Sequence, residues 1–249
     1  MKRYMQSSYR VLSFALFFIV WEGVALMLDN SLLFPRIYEI YLSLKEIVVS
    51  DVFTNILWNT VSRLGIAMFI SLVGSIVFST LSYKFQLISI LLNPFIVFLR
   101  AVPTITIIIL VLIWSSTEKV PIVVGVLILF PILYEGVLSG LENIDKNLLK
   151  MSRVFKVPQK RVIKDLYIPS VYYSLSGNLP SYLGLTFKVI IAGEVLSQES
   201  LSIGGEIFLN KIYLESSNIF AWIVIVIVLN YLLEQSLKYL NRRICRWKR

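Results

Sequence analysis

Histidine is absent from this 249-residue sequence, and cysteine occurs only once, at Cys245. The lack of histidine excludes histidine-ligated metal sites and the serine–histidine and cysteine–histidine pairs of many hydrolases. A single cysteine cannot form an intramolecular disulfide. Charged residues are also scarce, at 16% of the chain, compared with about 25% in ordinary globular domains. The sequence therefore predicts no catalytic residue and no metal site.

Apolar and aromatic residues are abundant instead: they make up 57% of the chain, and the mean hydropathy is +0.78. A soluble fold of this length could not bury so much apolar surface. About 20 apolar residues in a helix span the hydrocarbon core of a bilayer. Six segments approach that length, near residues 11–28, 56–82, 86–114, 120–141, 171–196 and 219–238. The sequence therefore predicts an all-α integral membrane protein with about six transmembrane helices.

Two of these segments have unusual features. The first follows Met1-Lys2-Arg3 in the manner of a signal peptide, but no small-x-small cleavage site follows it, so we expect a retained helix. The third contains Pro103, which removes a backbone donor and clashes with the preceding turn. We therefore expect either one broken helix or two half-helices there.

The formal net charge of +9 comes from 24 basic and 15 acidic residues. With the amino terminus inside the cell, 17 of the basic residues fall in cytoplasmic segments and four in the opposite loops. This distribution follows the positive-inside rule and predicts that both termini are cytoplasmic. The basic charge is thus explained by membrane topology, and the expected surroundings are a lipid bilayer and no nucleic acid.

The longest polar stretch lies between the fourth and fifth apolar segments, at residues 142–170. Asp145 is placed to cap a helix. The apolar face of that helix would contain Leu148, Leu149, Ser152 and Phe155. Pro158 suits the first turn of a second short helix, and Pro169 is expected to end it. Such helices either lie on the membrane with basic side chains near anionic lipid, or dock onto a protein.

This stretch resembles the cytoplasmic coupling loop of bacterial ATP-binding-cassette (ABC) importer permeases. That loop has the pattern E-A-A, three residues, G, nine residues, I-x-L-P. Here E-A-A falls on Lys150-Met151-Ser152, the glycine on Lys156, and I-x-L-P on Leu166-Tyr167-Ile168-Pro169. The spacing matches, whereas lysines replace the glutamate and the glycine. A non-glycine residue at a left-handed helix end costs about 1 kcal/mol.

Four further segments are similar to the nitrate, sulfonate and taurine branch of these permeases, at residues 32–35, 98–103, 130–133 and 192–196. The resemblance extends from about Trp21 to Arg243 and implies the type I importer permease fold. It implies a first helix with an extracytoplasmic connector at 1–54, a permease core at 55–240 containing the coupling loop, and a basic cytoplasmic tail at 241–249.

The resemblance also implies a function and partners. The chain would be the permease subunit of an importer in the bacterial inner membrane, forming the pathway for a small solute such as a sulfonate, nitrate or a vitamin precursor. Its implied partners are a cytoplasmic ABC ATPase dimer, an extracytoplasmic solute-binding protein and a second permease copy. The sequence contains no G-x-x-x-x-G-K-[ST] phosphate loop. ATP and Mg²⁺ would thus bind the partner ATPase, and this chain would be neither an enzyme nor a cofactor carrier.

The residues implied to contact the ATPase are those of the first coupling helix and its ends: Asp145, Leu148, Leu149, Lys150, Met151, Ser152, Phe155 and Lys156. In that arrangement Leu149, Met151 and Phe155 would fill an apolar socket on the ATPase. Lys150 and Lys156 would set the charge around it.

Ionisable residues within the spans need a separate explanation, because each costs about 2.5–3.5 kcal/mol at the centre of a membrane helix. Counting places Arg63, Arg100, Lys188 and Glu194 in the outer half, where they would line one cavity. Arg100, Lys188 and Glu194 are therefore candidate residues of the translocation pathway or its gate. A structural ion pair or snorkelling is the alternative, and it is the favoured one for Arg63.

Counting places the two remaining carboxylates deeper, with Glu22 near mid-depth and Glu135 in the inner half. Both are expected to pair with the backbone or with a neighbouring helix. In an ion-coupled secondary transporter, the alternative function, Glu22 and Glu194 would relay charge. Such transporters often contain inverted repeats, and none is evident here. A membrane-embedded enzyme would need a polar catalytic cluster that the sequence lacks.

Overall fold

The computed structural model describes the backbone of residues 2–244 and the side chains of residues 12–13 and 15–241, so Cys245 lies outside the described residues. The described chain is helical and contains no β-strand. Its α-helices in chain order are α1 Lys2–Leu28, α2 Ile37–Val49, α3 Phe53–Lys84, α4 Gln86–Ala101, α5 Thr104–Trp114, α6 Val120–Glu142, α7 Lys146–Val154, α8 Gln159–Val162, α9 Ile168–Ser176, α10 Leu179–Ser197, α11 Ile203–Ile212 and α12 Ser216–Ile244. A 3₁₀ turn, Thr117–Lys119, precedes α6, and a π-helical turn, Ile163–Tyr167, joins α8 to α9.

Four stretches of the described chain are long and apolar enough to cross a membrane: Phe53–Lys84, Thr117–Glu142, Leu179–Ser197 and Ser216–Asn241. Helices α4 and α5 pass the same test as a bent pair. The apolar part of α1, Ala15–Leu28, is shorter. These elements follow the order of the six predicted segments, and the prediction of an all-α membrane protein is confirmed.

The third predicted span consists of two half-helices. Helices α4 and α5 are bent by 107° relative to each other. Val102 and Pro103 between them are extended, with ψ angles of 132° and 133°. The residue before a proline avoids the helical region, and proline itself cannot donate to the preceding turn. The sequence left open one broken helix or two half-helices, and the structure contains two half-helices.

Helix α6 is the centre of the bundle, since it contacts α3, α4, α5, α9 and α10. One close approach is at Gly125, where an added Cβ would lie 2.9 Å from Ile190 Cδ1 and 3.0 Å from Ala67 Cβ. Small residues at such crossings let transmembrane helices pack backbone to backbone. The hydroxyl of Ser79, on α3, donates to the carbonyl of Tyr134 at 2.8 Å and adds a polar link to this crossing.

The connector after α1 contains α2, and α2 packs along α12. The Glu22 carboxylate accepts from the backbone N–H of Ile37 at 3.2 Å, at the beginning of α2. The indole of Trp21 donates to the carbonyl of Pro35 at 3.2 Å. Glu22 therefore pairs with backbone, as expected. Its depth in the membrane stays a prediction.

The loop at 142–170 forms two helical pieces, α7 and the continuous segment α8–α9. Pro169 was expected to end the second piece, and that prediction is wrong, because Pro169 lies in the first turn of α9. The π-helical turn immediately before it is wider than an α-helical turn. Such a turn accommodates the ring and the missing donor of a proline without ending the helix.

Candidate functional site

Helix α7 has defined caps at both ends. The Asp145 carboxylate accepts from the backbone N–H of Asn147 at 2.7 Å, as predicted for the helix start. At the other end, Lys156 N–H donates to the Arg153 carbonyl at 3.1 Å and Val157 N–H to the Ser152 carbonyl at 2.9 Å. This is the Schellman arrangement, in which the first residue after the cap is left-handed and is itself one of the two donors.

Lys156 is that left-handed residue, with φ of 50°. It occupies the position at which the resembling coupling loops have glycine. Glycine adopts this conformation without steric cost, whereas lysine pays about 1 kcal/mol. The loop therefore keeps the geometry of the pattern although the residue has changed.

An apolar groove of about 320 Å³ lies between α7 and the α8–α9 segment. Its lining consists of Leu148, Met151, Ser152, Phe155, Val157, Arg161, Val162, Asp165 and Leu166. Phe155 is 74% exposed and Met151 54%. Leu149, expected to reach outward, is half-buried and does not line the groove. Large apolar side chains in such an exposed groove are typical of a surface that another molecule covers.

Basic side chains surround this groove. The exposed cations of the loop are Lys146, Lys150, Arg153, Lys156, Lys160, Arg161 and Lys164, and the exposed carboxylates are Glu142, Asp145 and Asp165. The excess of positive charge favours a covering surface that carries negative charge.

A buried ion network occupies the end of α10 that leads to α11. Glu194 is fully buried. Its Oε1 lies 2.9 Å from Arg63 Nη1, and its Oε2 accepts from the Thr60 hydroxyl at 3.1 Å. The other guanidinium nitrogen, Arg63 Nη2, lies 2.8 Å from Glu199 Oε1. Arg63 therefore forms a structural ion pair, which was its favoured explanation.

A second ion pair joins Arg100 at the end of α4 to Glu135 on α6. Both side chains are about half exposed, at 54% and 47%. Glu135 therefore pairs with a neighbouring helix, as expected. The depth of either residue in the membrane stays a prediction.

Lys188 lies on an exposed face of α10, as the tenth of its 19 residues. It forms no hydrogen bond or ion pair with any residue that the structure describes. One turn earlier on the same helix, Gly184 is buried, and an added Cβ would lie 3.4 Å from Glu234 Oε1. Lys188 is exposed, because four residues along a helix rotate the side chain by about 40°.

The three candidate pathway residues are therefore not brought together. Glu194 pairs with Arg63, Arg100 pairs with Glu135, and Lys188 has no charged partner within the described part of the chain. Glu194 is fully buried, whereas Arg100 and Lys188 are exposed, so Glu194 does not share an open surface with them.

Residues 70–246 match the family model described as the binding-protein-dependent transport system inner membrane component. The chain belongs to this family. A relative from Bacillus subtilis (strain 168) is 19% identical over 237 residues, which cover 94% of this chain and 85% of the relative. A relative from Escherichia coli (strain K12) is 28% identical over 159 residues, covering 63% and 60%. Both relatives are provisionally named aliphatic sulfonates transport permease protein SsuC.

These matches confirm the resemblance to ABC importer permeases and to their sulfonate-like branch. The chain is a multi-pass permease of the inner membrane, built for binding-protein-dependent transport. The domain boundaries at 54 and 240 and the roles of individual residues stay predictions.

Sequence reasoning about the permease missed three members of the ion network: Thr60, Glu199 and Gly204. Thr60 and Arg63 precede the family match, whereas Glu194 lies within it. A signal was present in the sequence, because Arg63 needed a counter-charge, and Glu194 and Glu199 lie close together at the end of the fifth apolar segment and directly after it.

Proposed function

We propose that this permease forms the translocation pathway of an ABC importer that takes up a small organic anion, with sulfonates as the first class to test. The coupling loop carries the proposal. It combines a capped helix, a Schellman end at the family glycine position and an exposed apolar groove within the region that matches the family. The names of the two relatives support the choice of sulfonates.

Energy would come from a cytoplasmic ABC ATPase dimer that docks on α7 and carries the ATP and Mg²⁺. Leu148, Met151 and Phe155 would provide the apolar contact, and Leu149 would support α7 from behind. Lys150 and Lys156 would face negative charge on the ATPase. Nucleotide-driven closure of the ATPase dimer would then displace α7 and, through α6 and α9, the spans.

The pathway would run along the exposed charges of the spans. A charged side chain facing lipid costs about 2.5–3.5 kcal/mol at the helix centre, so Lys188 and the Arg100–Glu135 pair are better explained by a water-filled path shared with a second permease copy. Lys188 would attract the anion, because Glu135 already neutralises Arg100. Glu194 would belong to the gate at the outer end.

Topology completes the proposal. The excess of basic residues near the termini and in the loop at 142–170 supports cytoplasmic termini and a cytoplasmic coupling loop. The extracytoplasmic solute-binding protein would then meet the side that carries α2 and α11.

The decisive experiment measures ATP hydrolysis by the permease reconstituted in lipid with its ATPase subunit, with and without a sulfonate-loaded binding protein. We expect hydrolysis to be stimulated by the loaded binding protein and less by the empty one. A permease that forms no complex with an ATPase would contradict the proposal and favour ion-coupled transport. Stimulation by a binding protein loaded with another solute would keep the importer and replace the sulfonate.

A further inference from the structure

The beginning of α11 is held by side chains from three different elements. The first N–H groups of a helix have no partner within the helix. Here Ile203 N–H donates to the Thr60 hydroxyl at 3.1 Å, and Gly204 N–H donates to Glu194 Oε2 at 3.1 Å. Gly205 N–H donates to the Ser202 hydroxyl at 2.9 Å. Helix α11 is therefore fastened at its first turn to α3, through Thr60, and to α10, through Glu194.

Backbone packing leaves this turn no room to shift. A Cβ added at Gly204 would lie 2.4 Å from Glu194 Cβ, and one added at Gly205 would lie 2.0 Å from the Glu199 carbonyl oxygen. Such distances are far below van der Waals contact, so glycine is required at both positions. The carbonyl of Leu201, in the same turn, accepts from the Asn59 side-chain amide at 3.0 Å and adds a further link to α3.

Arg63 completes the arrangement by pairing with two carboxylates. Glu194 lies in the last turn of α10, and Glu199 lies in the connection between α10 and α11. The Arg63 side chain is 13% exposed, and the two glutamate side chains are 0% and 8% exposed. The planar guanidinium presents two nitrogens in a fixed fork, which the single ammonium of lysine cannot reproduce. The bridge therefore depends on arginine specifically.

We infer that Thr60 and Arg63 are positioning residues that make the outer end of α3, the outer end of α10 and α11 move as one body during transport. A displacement of α11 then moves α3 and α10 as well, because the turn at 198–202 does not change its conformation. The Thr60 hydroxyl is central, because it donates to Glu194 and accepts from Ile203 at the same time. The consequence for transport rests on the proposed function, whereas the fastening itself does not.

Hydrogen exchange tests the fastening on the intact permease in lipid nanodiscs. Thr60→Val removes the hydroxyl at constant size, and Thr60→Ser retains it. We expect amide exchange at residues 203–205 to accelerate about tenfold or more in Thr60→Val and to stay close to the unmodified rate in Thr60→Ser. Equal exchange in the two variants would overturn the inference.

Stimulated ATP hydrolysis tests the transmission. In the reconstituted complex we expect Thr60→Val and Arg63→Lys to keep basal hydrolysis and to lose most of the stimulation by the loaded binding protein, with Thr60→Ser restoring it. Arg36→Gln is the matched control, because it breaks the exposed Arg36–Asp29 ion pair, 3.0 Å long, in the connector after α1. Its stimulation should be unchanged.

The two possible failures are distinguishable. If the unmodified complex shows no stimulation, the proposed function fails, and the exchange experiment still decides the fastening. If the unmodified complex is stimulated and Thr60→Val and Arg63→Lys are stimulated equally, the importer stands and the transmission role of Thr60 and Arg63 is overturned.

Discussion

The loop at 142–170 and the ion network around Arg63 are constructed in opposite ways. The loop leaves Phe155 and Met151 exposed around a groove and leaves its basic residues at the surface. The network buries Glu194 completely and pairs it with Arg63 and with the backbone of Gly204. Exposed apolar grooves are typical of interaction surfaces, whereas a buried charge must be satisfied within the fold. The loop is therefore the proposed interface, and the network stabilises the permease itself.

The largest effect that this comparison predicts is loss of the folded permease in Arg63→Ala. Removing the one cation leaves two buried carboxylates unpaired, and breaking a buried pair in this way costs about 3–5 kcal/mol. Thermal unfolding of the purified permease in detergent would measure this loss of stability. Arg36→Ala removes an exposed ion pair and should cost at most about 1 kcal/mol. Equal stability of the two variants would remove the contrast between buried and exposed charge.

The next effect concerns the groove. We expect Phe155→Asp to abolish copurification of the ATPase while leaving membrane insertion intact, because it places a carboxylate in an apolar contact. Val154→Asp is the matched control: Val154 is 76% exposed, next to Phe155, and does not line the groove. Leu149→Asp should also weaken the complex, through loss of support for α7. Normal copurification of both Phe155→Asp and Leu149→Asp would show that the loop is not the docking element.

A smaller effect is expected when an exposed charge of the spans, Lys188, is removed. Lys188→Ala should lower sulfonate uptake into proteoliposomes by about tenfold, equivalent to one lost charge contact of about 1.4 kcal/mol. Lys188→Arg should retain most uptake, because the charge is preserved, and ATPase assembly should be normal in both. Unchanged uptake in Lys188→Ala would place Lys188 outside the pathway.

The smallest expected effect is a gain in stability at the end of α7. Lys156→Gly should stabilise the permease by about 1 kcal/mol, because glycine adopts the left-handed conformation without strain. The same replacement at Lys150, inside α7, should destabilise it by about 1 kcal/mol. Thermal unfolding of the two variants in lipid would test whether Lys156 adopts the left-handed conformation there. A loss of stability in Lys156→Gly would contradict the Schellman end.

Local features of the fold were predictable from the sequence. The apolar segments, the Asp145 cap and the break at Pro103 all depend on residues within a few turns of one another. The spacing of the coupling pattern likewise identified Lys156 as the residue at the helix end. The prediction at Pro169 failed because it assumed an ordinary α-helical turn, whereas a π-helical turn precedes this proline.

By itself, the sequence determined the membrane class, the order of the spans and the position of the coupling helix, because hydropathy, caps and helical period act over short distances. Only the tertiary structure decided which charges pair. Arg63 and Glu194 are 131 residues apart, and Arg100 and Glu135, on different helices, are 35 residues apart. The orientation of one helix against another depends on the packing of several elements at once, and no local pattern contains it.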